Sequence, residues 1–77
     1  MNNKRRERLK NALGLLNTAY SIIDGACSEE QDKLDNIPEN LQESDRYSSM
    51  ESAVDNLSDA LDRIDEAKEN IQSAISK

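Results

Sequence analysis

The sequence contains no histidine, tryptophan or phenylalanine, and it has one cysteine, one proline and two glycines. Without histidine there is no imidazole base, no Ser-His or Cys-His pair, and no Glu-x-x-His iron site of the kind found in helix bundles. Two glycines are too few for a phosphate-binding loop. No segment offers the alternating oxygen ligands around a glycine turn that a calcium loop needs. We therefore predict a non-enzymatic protein that uses no cofactor and no metal.

A single cysteine, Cys27, excludes an intramolecular disulfide and with it the class of small disulfide-stapled secreted proteins. The basic start of the chain is not followed by the continuous apolar segment of a signal peptide. No run approaches the roughly 20 apolar residues that span a bilayer. These features predict a cytoplasmic protein without a membrane partner, in which Cys27 serves as a small packing residue.

The chain has only 77 residues, and a domain of this size buries too little apolar surface to be very stable alone. Self-association is the usual remedy when disulfides are absent. We therefore expect a homodimer.

A heptad pattern with apolar residues at positions a, d and e runs through both halves of the chain. The first half has Leu9, Leu16 and Ile23 at a, Ala12, Ala19 and Ala26 at d, and Leu13, Tyr20, Cys27 and Leu34 at e. The second half has Met50, Leu57, Ile64 and Ile71 at a, Ala53, Ala60, Ala67 and Ala74 at d, and Val54, Leu61, Lys68 and Ile75 at e. Alanine at every d position favours a close antiparallel approach of two helices. We predict an all-α antiparallel two-helix hairpin, and a four-helix bundle when two hairpins pair.

Pro38 separates the two halves, because proline lacks a backbone donor and disfavours helix at the residue before it. We predict one domain with helices at about 4–35 and 45–76, joined by a turn at about 36–44 that includes a short helical turn from Pro38 to Leu41. Ser44 is the expected N-cap of the second helix, ahead of Ser48, which has Glu51 at capping-box spacing. A break at Gly25 is the alternative to one continuous first helix.

Leu15 and Ile22 occupy g positions of the first helix, where the second helix has polar residues. The first helix therefore has the broader apolar face. We predict that Leu15 and Ile22 lie at a dimer contact or at a partner site, with Tyr20 as a further candidate for the dimer contact at the edge of the bundle.

The second helix carries a row of acidic residues, which we call the acidic ridge: Glu51, Asp55, Asp59, Asp62, Asp65, Glu66 and Glu69. The ridge could dock on a basic protein surface, and it is also typical of a solvated outer face. The connection between the helices is longer than a hairpin requires. We include its charged residues Glu39, Glu43, Asp45 and Arg46 in the candidate partner-binding surface.

Residues 1–10 carry a net charge of +4, so the other 67 residues hold −10 of the total of −6. The basic segment could touch RNA, but it lacks aromatic residues for base stacking, and the acidic chain would repel phosphates. We do not expect direct nucleic-acid binding. An antiparallel hairpin would instead place these cations beside Asp65, Glu66 and Glu69.

The segment from Glu29 to Ala67 resembles a group of short proteins from bacteriophages and prophages of Gram-positive bacteria. The matching residues are Glu30, Gln31, Asp35, Asn36, Pro38, Glu39, Leu41, Gln42, Ser44, Arg46, Met50, Glu51 and Ala53. The sequence departs from the group at Tyr47 and Ser48. The resemblance implies a viral origin and carries no assigned activity.

For a phage protein without catalytic groups, we expect a stoichiometric inhibitor or adaptor that binds a host or phage protein, for example an anti-defence protein of the anti-CRISPR type. The alternatives are a structural module of a virion and a dimeric RNA-binding hairpin.

Overall fold

The computed structural model describes residues 1–77 and consists of two long helices packed side by side. The first helix, α1, spans Asn3–Asp35, and the second, α2, spans Asp45–Ile75. A short 3-10 helix at Glu39–Leu41 lies in the turn between them. The molecule is a rod of 59 × 15 × 13 Å. The predicted all-α antiparallel hairpin is confirmed, and each helix end lies within one residue of its predicted position.

Asparagine side chains form hydrogen bonds with backbone groups at both ends of α1. The Oδ1 atom of Asn2 accepts a hydrogen bond from the backbone N–H of Arg5 at 2.9 Å. At the other end, Nδ2 of Asn36 donates to the carbonyl oxygen of Asp32 at 2.8 Å. Pro38 then turns the chain away with extended backbone angles, φ −59° and ψ 146°. The helix is continuous through Gly25, so the alternative with a break there is wrong.

Ser44 fixes the start of α2, as predicted. Its Oγ atom accepts a hydrogen bond from the backbone N–H of Tyr47 at 3.2 Å and donates one to the carbonyl oxygen of Leu41 at 2.8 Å. The side chain therefore satisfies one orphan donor of the helix and one acceptor of the preceding 3-10 turn.

The Ser44→Ala variant is expected to lose about 1 kcal/mol of unfolding free energy, because both hydrogen bonds disappear. For a chain of this length the melting temperature should fall by about 4–8 °C. Thermal unfolding followed by circular dichroism measures the change. Ser48→Ala is the matched control, since Ser48 is exposed inside α2. Equal melting temperatures for the two variants would contradict the assigned cap.

Two polar contacts between the helices show their register. Nε of Arg6 donates to the carbonyl oxygen of Ile75 at 3.1 Å, and Sγ of Cys27 lies 3.9 Å from the carbonyl oxygen of Val54. The same register places Tyr20 level with Leu61. Because two helices cover only one side of each other, the buried core is small and consists of Leu34, Val54 and Leu61.

The seven alanines at the d positions, which we call the alanine column, line the contact between the two helices, which we call the seam, except at one position. Six of the seven alanines are half-buried, and Ala26 is exposed. The expectation that every d position faces the partner helix is therefore wrong at Ala26. The helices meet at this level through Cys27 and Val54. Ala26 follows Leu15 by eleven residues, about three helical turns, so it lies on the same exposed flank as Leu15.

Lys68, the one polar residue among the e positions of α2, is accommodated at the side of the seam. Its Nζ atom lies 5.3 Å from the centre of the Tyr20 ring and 3.8 Å from a carboxylate oxygen of Asp65. The ring face and the carboxylate both favour the ammonium charge. The lysine stem can then cover apolar surface while its charged end stays solvated.

Candidate protein-binding site

All seven carboxylates of the acidic ridge are exposed to solvent. They lie within an arc of about 120° on the outer face of α2, and the row is about 27 Å long at about 1.5 Å per residue. Only Asp65 forms an ion pair, with Lys68. Arg63 lines a shallow depression together with Asp59, Asp62 and Glu66 but has no carboxylate oxygen within ion-pair distance. The ridge is thus a surface of largely uncompensated negative charge.

The charges of the acidic ridge affect the pKa of Tyr20, which lies on the other helix. The carboxylate of Asp65 raises the pKa of the Tyr20 phenol most, followed by partial desolvation and by the charges of Asp24 and Asp62. The shift keeps the phenol neutral to higher pH, because an additional negative charge beside these carboxylates is unfavourable. Tyr20 therefore contributes a neutral hydroxyl group to the edge of the ridge.

A groove of about 540 Å³ opens at the turn end of the rod. Its apolar lining comes from both sides of the turn, with Ile37, Pro38 and Leu41 before α2 and Met50 within it. Leu41 is 51% exposed and is one of the exposed large apolar residues of the chain. The groove is the most concave apolar surface that the turn end presents.

Two cations, Lys33 and Arg46, stand in the lining of this groove. Neither has a carboxylate within 4.0 Å, although the protein as a whole is acidic. Both side chains are therefore available to an incoming carbonyl or carboxylate group. Glu39, Glu43 and Asp45 are also exposed at this end of the rod. Met50 lines the groove and Glu51, the next residue, begins the acidic ridge about 100° further around α2, so the ridge starts at the turn end of the rod.

The basic segment at the start of α1 does not pair with the acids of α2. The two ion pairs of the structure, Lys10–Glu7 and Lys68–Asp65, each lie within one helix. The expectation that the N-terminal cations face Asp65, Glu66 and Glu69 is therefore wrong. The register brings Arg6 to the carbonyl oxygen of Ile75, about 9 Å beyond Glu69 along the helix at about 1.5 Å per residue.

Leu15 and Ile22 are the most exposed large apolar side chains, at 65% and 68%. Tyr20 lies elsewhere on α1, about 140° around the axis from Leu15, with Lys68 over its ring. The structure therefore separates the three residues predicted as dimer contacts into two surfaces. Leu15 and Ile22 share one flank, and Tyr20 borders the seam beside the acidic ridge.

The turn groove was not foreseen from the sequence beyond Arg46. The sequence pattern assigns Ile37, Pro38 and Leu41 to a connection and Met50 to an a position of the second helix. The signal that could have found the groove is the presence of two large apolar residues, Ile37 and Leu41, in a stretch otherwise rich in polar groups. Apolar residues in a surface connection commonly mark a contact site.

Comparison with protein-family models, with curated proteins and with solved structures finds no match for this chain. Within the structure, no three side chains of the histidine, cysteine, aspartate and glutamate types are grouped to hold a metal ion. Neither helix has a segment that is long and apolar enough to cross a bilayer. The features of the molecule that bear on function are therefore the shape and charge of its exposed surfaces.

Proposed function

We propose that this protein is a non-catalytic, phage-type module that binds another protein through the turn groove and the adjoining acidic ridge. It acts stoichiometrically, as an inhibitor or adaptor of a host protein in the host cytoplasm. The observation that carries the proposal is the combination of an apolar groove at the turn end with a row of exposed carboxylates that starts at the same end of α2.

The groove supplies the apolar part of such an interface. Protein interfaces gain most of their affinity from a few side chains that fill desolvated pockets, surrounded by polar contacts that exclude water. Pro38 and the 3-10 helix hold the lining side chains on a short, hydrogen-bonded segment. A partner side chain of aliphatic or aromatic type would fill this groove, with Lys33 and Arg46 bonding to its main-chain carbonyl oxygens.

The ridge supplies the electrostatic part. A continuous negative surface steers a basic partner into contact and fixes its orientation more than it adds to affinity. Because six of the seven carboxylates have no internal ion pair, a partner's lysine and arginine side chains would not need to displace existing bonds. The complementary partner therefore has a basic surface with an apolar side chain at one end.

The viral element of the proposal is supported by the resemblance of the segment from Glu29 to Ala67 to short phage and prophage proteins. A protein without catalytic groups would act by covering a site on its target. A rigid rod with a charged side and an apolar tip has a shape suited to that mode of action. Anti-CRISPR-type inhibition of a nuclease is one form of it.

The proposal is tested by capture of a partner from a Gram-positive host lysate with the tagged full chain, followed by mass spectrometry and by affinity measurement with the purified partner. The charge reversal Asp55→Lys, Asp62→Lys and Glu69→Lys should weaken binding at least about tenfold, and added salt should weaken wild-type binding. Leu41→Ala should raise the dissociation rate, because it removes an apolar contact from the groove.

The control places lysines on the outer side of α1, Ser21→Lys, Ser28→Lys, Asp32→Lys and Asp35→Lys, so that it has the same net charge as the ridge variant. It should bind as the wild type does. Undiminished affinity in both the ridge variant and the Leu41 variant would contradict the proposed surface. Equal losses in the ridge variant and the control would show a dependence on net charge alone, which also contradicts it.

A further inference from the structure

One flank of α1 carries an exposed column of four residues at seven-residue spacing: Arg8, Leu15, Ile22 and Glu29. The two apolar members lie in the middle of the column, and the two charged members, of opposite sign, lie at its ends. Residues seven apart on an α-helix lie nearly above one another, so the column is a straight stripe about 32 Å long at about 1.5 Å per residue.

We infer that this stripe is a symmetric interface with a second copy of the chain, in which the two α1 helices cross antiparallel. The two-fold axis passes between Thr18 and Ala19, midway along the column. Leu15 of each copy then packs against Ile22 of the other, and Arg8 of each copy meets Glu29 of the other. A two-fold interface requires a patch that is complementary to itself, and this column has that property.

The charged ends of the column select the antiparallel direction. A parallel pairing would place Arg8 against Arg8 and Glu29 against Glu29, and both contacts are repulsive. In the antiparallel pairing both contacts are attractive. Neither Arg8 nor Glu29 has an ion-pair partner within its own chain, so each is free to make the contact.

Small residues flank the apolar pair and allow the helices to approach closely. The same two-fold axis places Ala12 level with Gly25 of the other copy, and Asn11 level with Ala26. Nothing lies within 4 Å of a Cβ atom built on Gly25, so this flank is open in the single chain. The exposed Ala26 lies on this flank as well, so it would be covered in the paired molecule.

The exposed area of the chain is consistent with such pairing. The accessible surface is 5875 Å², whereas a compact monomer of this mass, 8.7 kDa, is expected to expose about 4700 Å². The excess of about 1200 Å² exceeds the roughly 800 Å² that each partner buries in a standard interface. Pairing two rods along their length is the association that removes surface from the long sides of both.

The mass of the full chain in solution tests the inference directly. Sedimentation equilibrium at high micromolar concentration should give twice the chain mass. Ile22→Lys should raise the dimer dissociation constant at least about a hundredfold, because each interface then contains two lysines against leucine. Since Ile22 is exposed within the hairpin, helix content by circular dichroism should be unchanged. Ser58→Lys, on the outer face of α2, is the control and should leave the dimer intact.

A charge swap tests the direction of the crossing. Arg8→Glu alone and Glu29→Arg alone should each weaken the dimer about tenfold, since two attractive contacts become repulsive. The double variant should restore it, which happens only if Arg8 faces Glu29. A monomeric wild type, a dimer that survives Ile22→Lys, or a double variant that is no stronger than the single ones would overturn the inference. None of these results depends on the proposed function, since no other partner is present.

Discussion

Leu61→Ala is expected to lower the free energy of unfolding by about 3 kcal/mol, within the range found for leucine truncation in protein cores. Leu61 is 8% exposed and is one of only three buried residues, so few neighbours can compensate for the cavity. For a chain of this length the melting temperature should fall by at least about 10 °C. Urea unfolding followed by circular dichroism, at one fixed protein concentration, measures the change.

Leu41→Ala makes the same chemical change at a position that is 51% exposed. It should cost about 1 kcal/mol or less, because the side chain loses little buried area. The difference in unfolding free energy between the two variants separates the effect of burial in the seam from the general effects of removing a leucine. Similar losses in both would indicate that Leu61 does not lie in the core.

Ala60→Leu is expected to destabilise the hairpin by about 2 kcal/mol, even though leucine is more apolar than alanine. Ala60 is half-buried in the alanine column, where we expect a larger side chain to collide with α1. The added atoms must push the helices apart or adopt a strained rotamer. Urea unfolding under the conditions used for the Leu61 variant measures the loss.

The matched control is Ser58→Leu, at an exposed position two residues before Ala60. Leucine has a higher helix propensity than serine, so this variant should be as stable as the wild type or slightly more stable. If Ala60→Leu were also neutral or stabilising, the alanine column would not be a close-packed seam. The helices would then be held together mainly by the larger residues at a and e.

The heptad pattern was sufficient to predict the hairpin, because the spacing of apolar residues determines which side of each helix is covered. The end of α1 and the start of α2 could be predicted equally well from the local sequence. Pro38 ends α1 by removing a donor, and the Ser44 hydroxyl group is positioned to cap α2. Both effects act within four residues along the chain, so they do not depend on the tertiary arrangement.

The relative axial position of the helices could not be predicted to the residue. Heptad spacing allows several registers that differ in which a and e residues interleave. The observed register brings Arg6 to Ile75 and Cys27 to Val54, and this displaces the N-terminal cations from the acids of α2. The exposure of Ala26 depends on the same choice, since a small rotation of α1 turns one d position out of the seam.

The turn groove was missed for a related reason. Its lining combines residues from the end of α1, the 3-10 helix and the first turns of α2, from Lys33 to Met50. A sequence pattern shows that Leu41 is apolar but not that it stands beside Met50. That proximity is created by the folding of the connection, which periodicity does not describe. The acidic ridge, which lies on a single helix, was visible in the sequence from the start.

The bond between Arg6 and Ile75 closes the rod at the end opposite the turn. Any polypeptide joined to either terminus is therefore tethered at this closed end, almost the full 59 Å length of the molecule away from the turn. In an immobilised or fused copy, the turn end would point away from the support or the fusion partner. A fluorophore or a solid support attached at either terminus can thus report on events at the tip without occupying it.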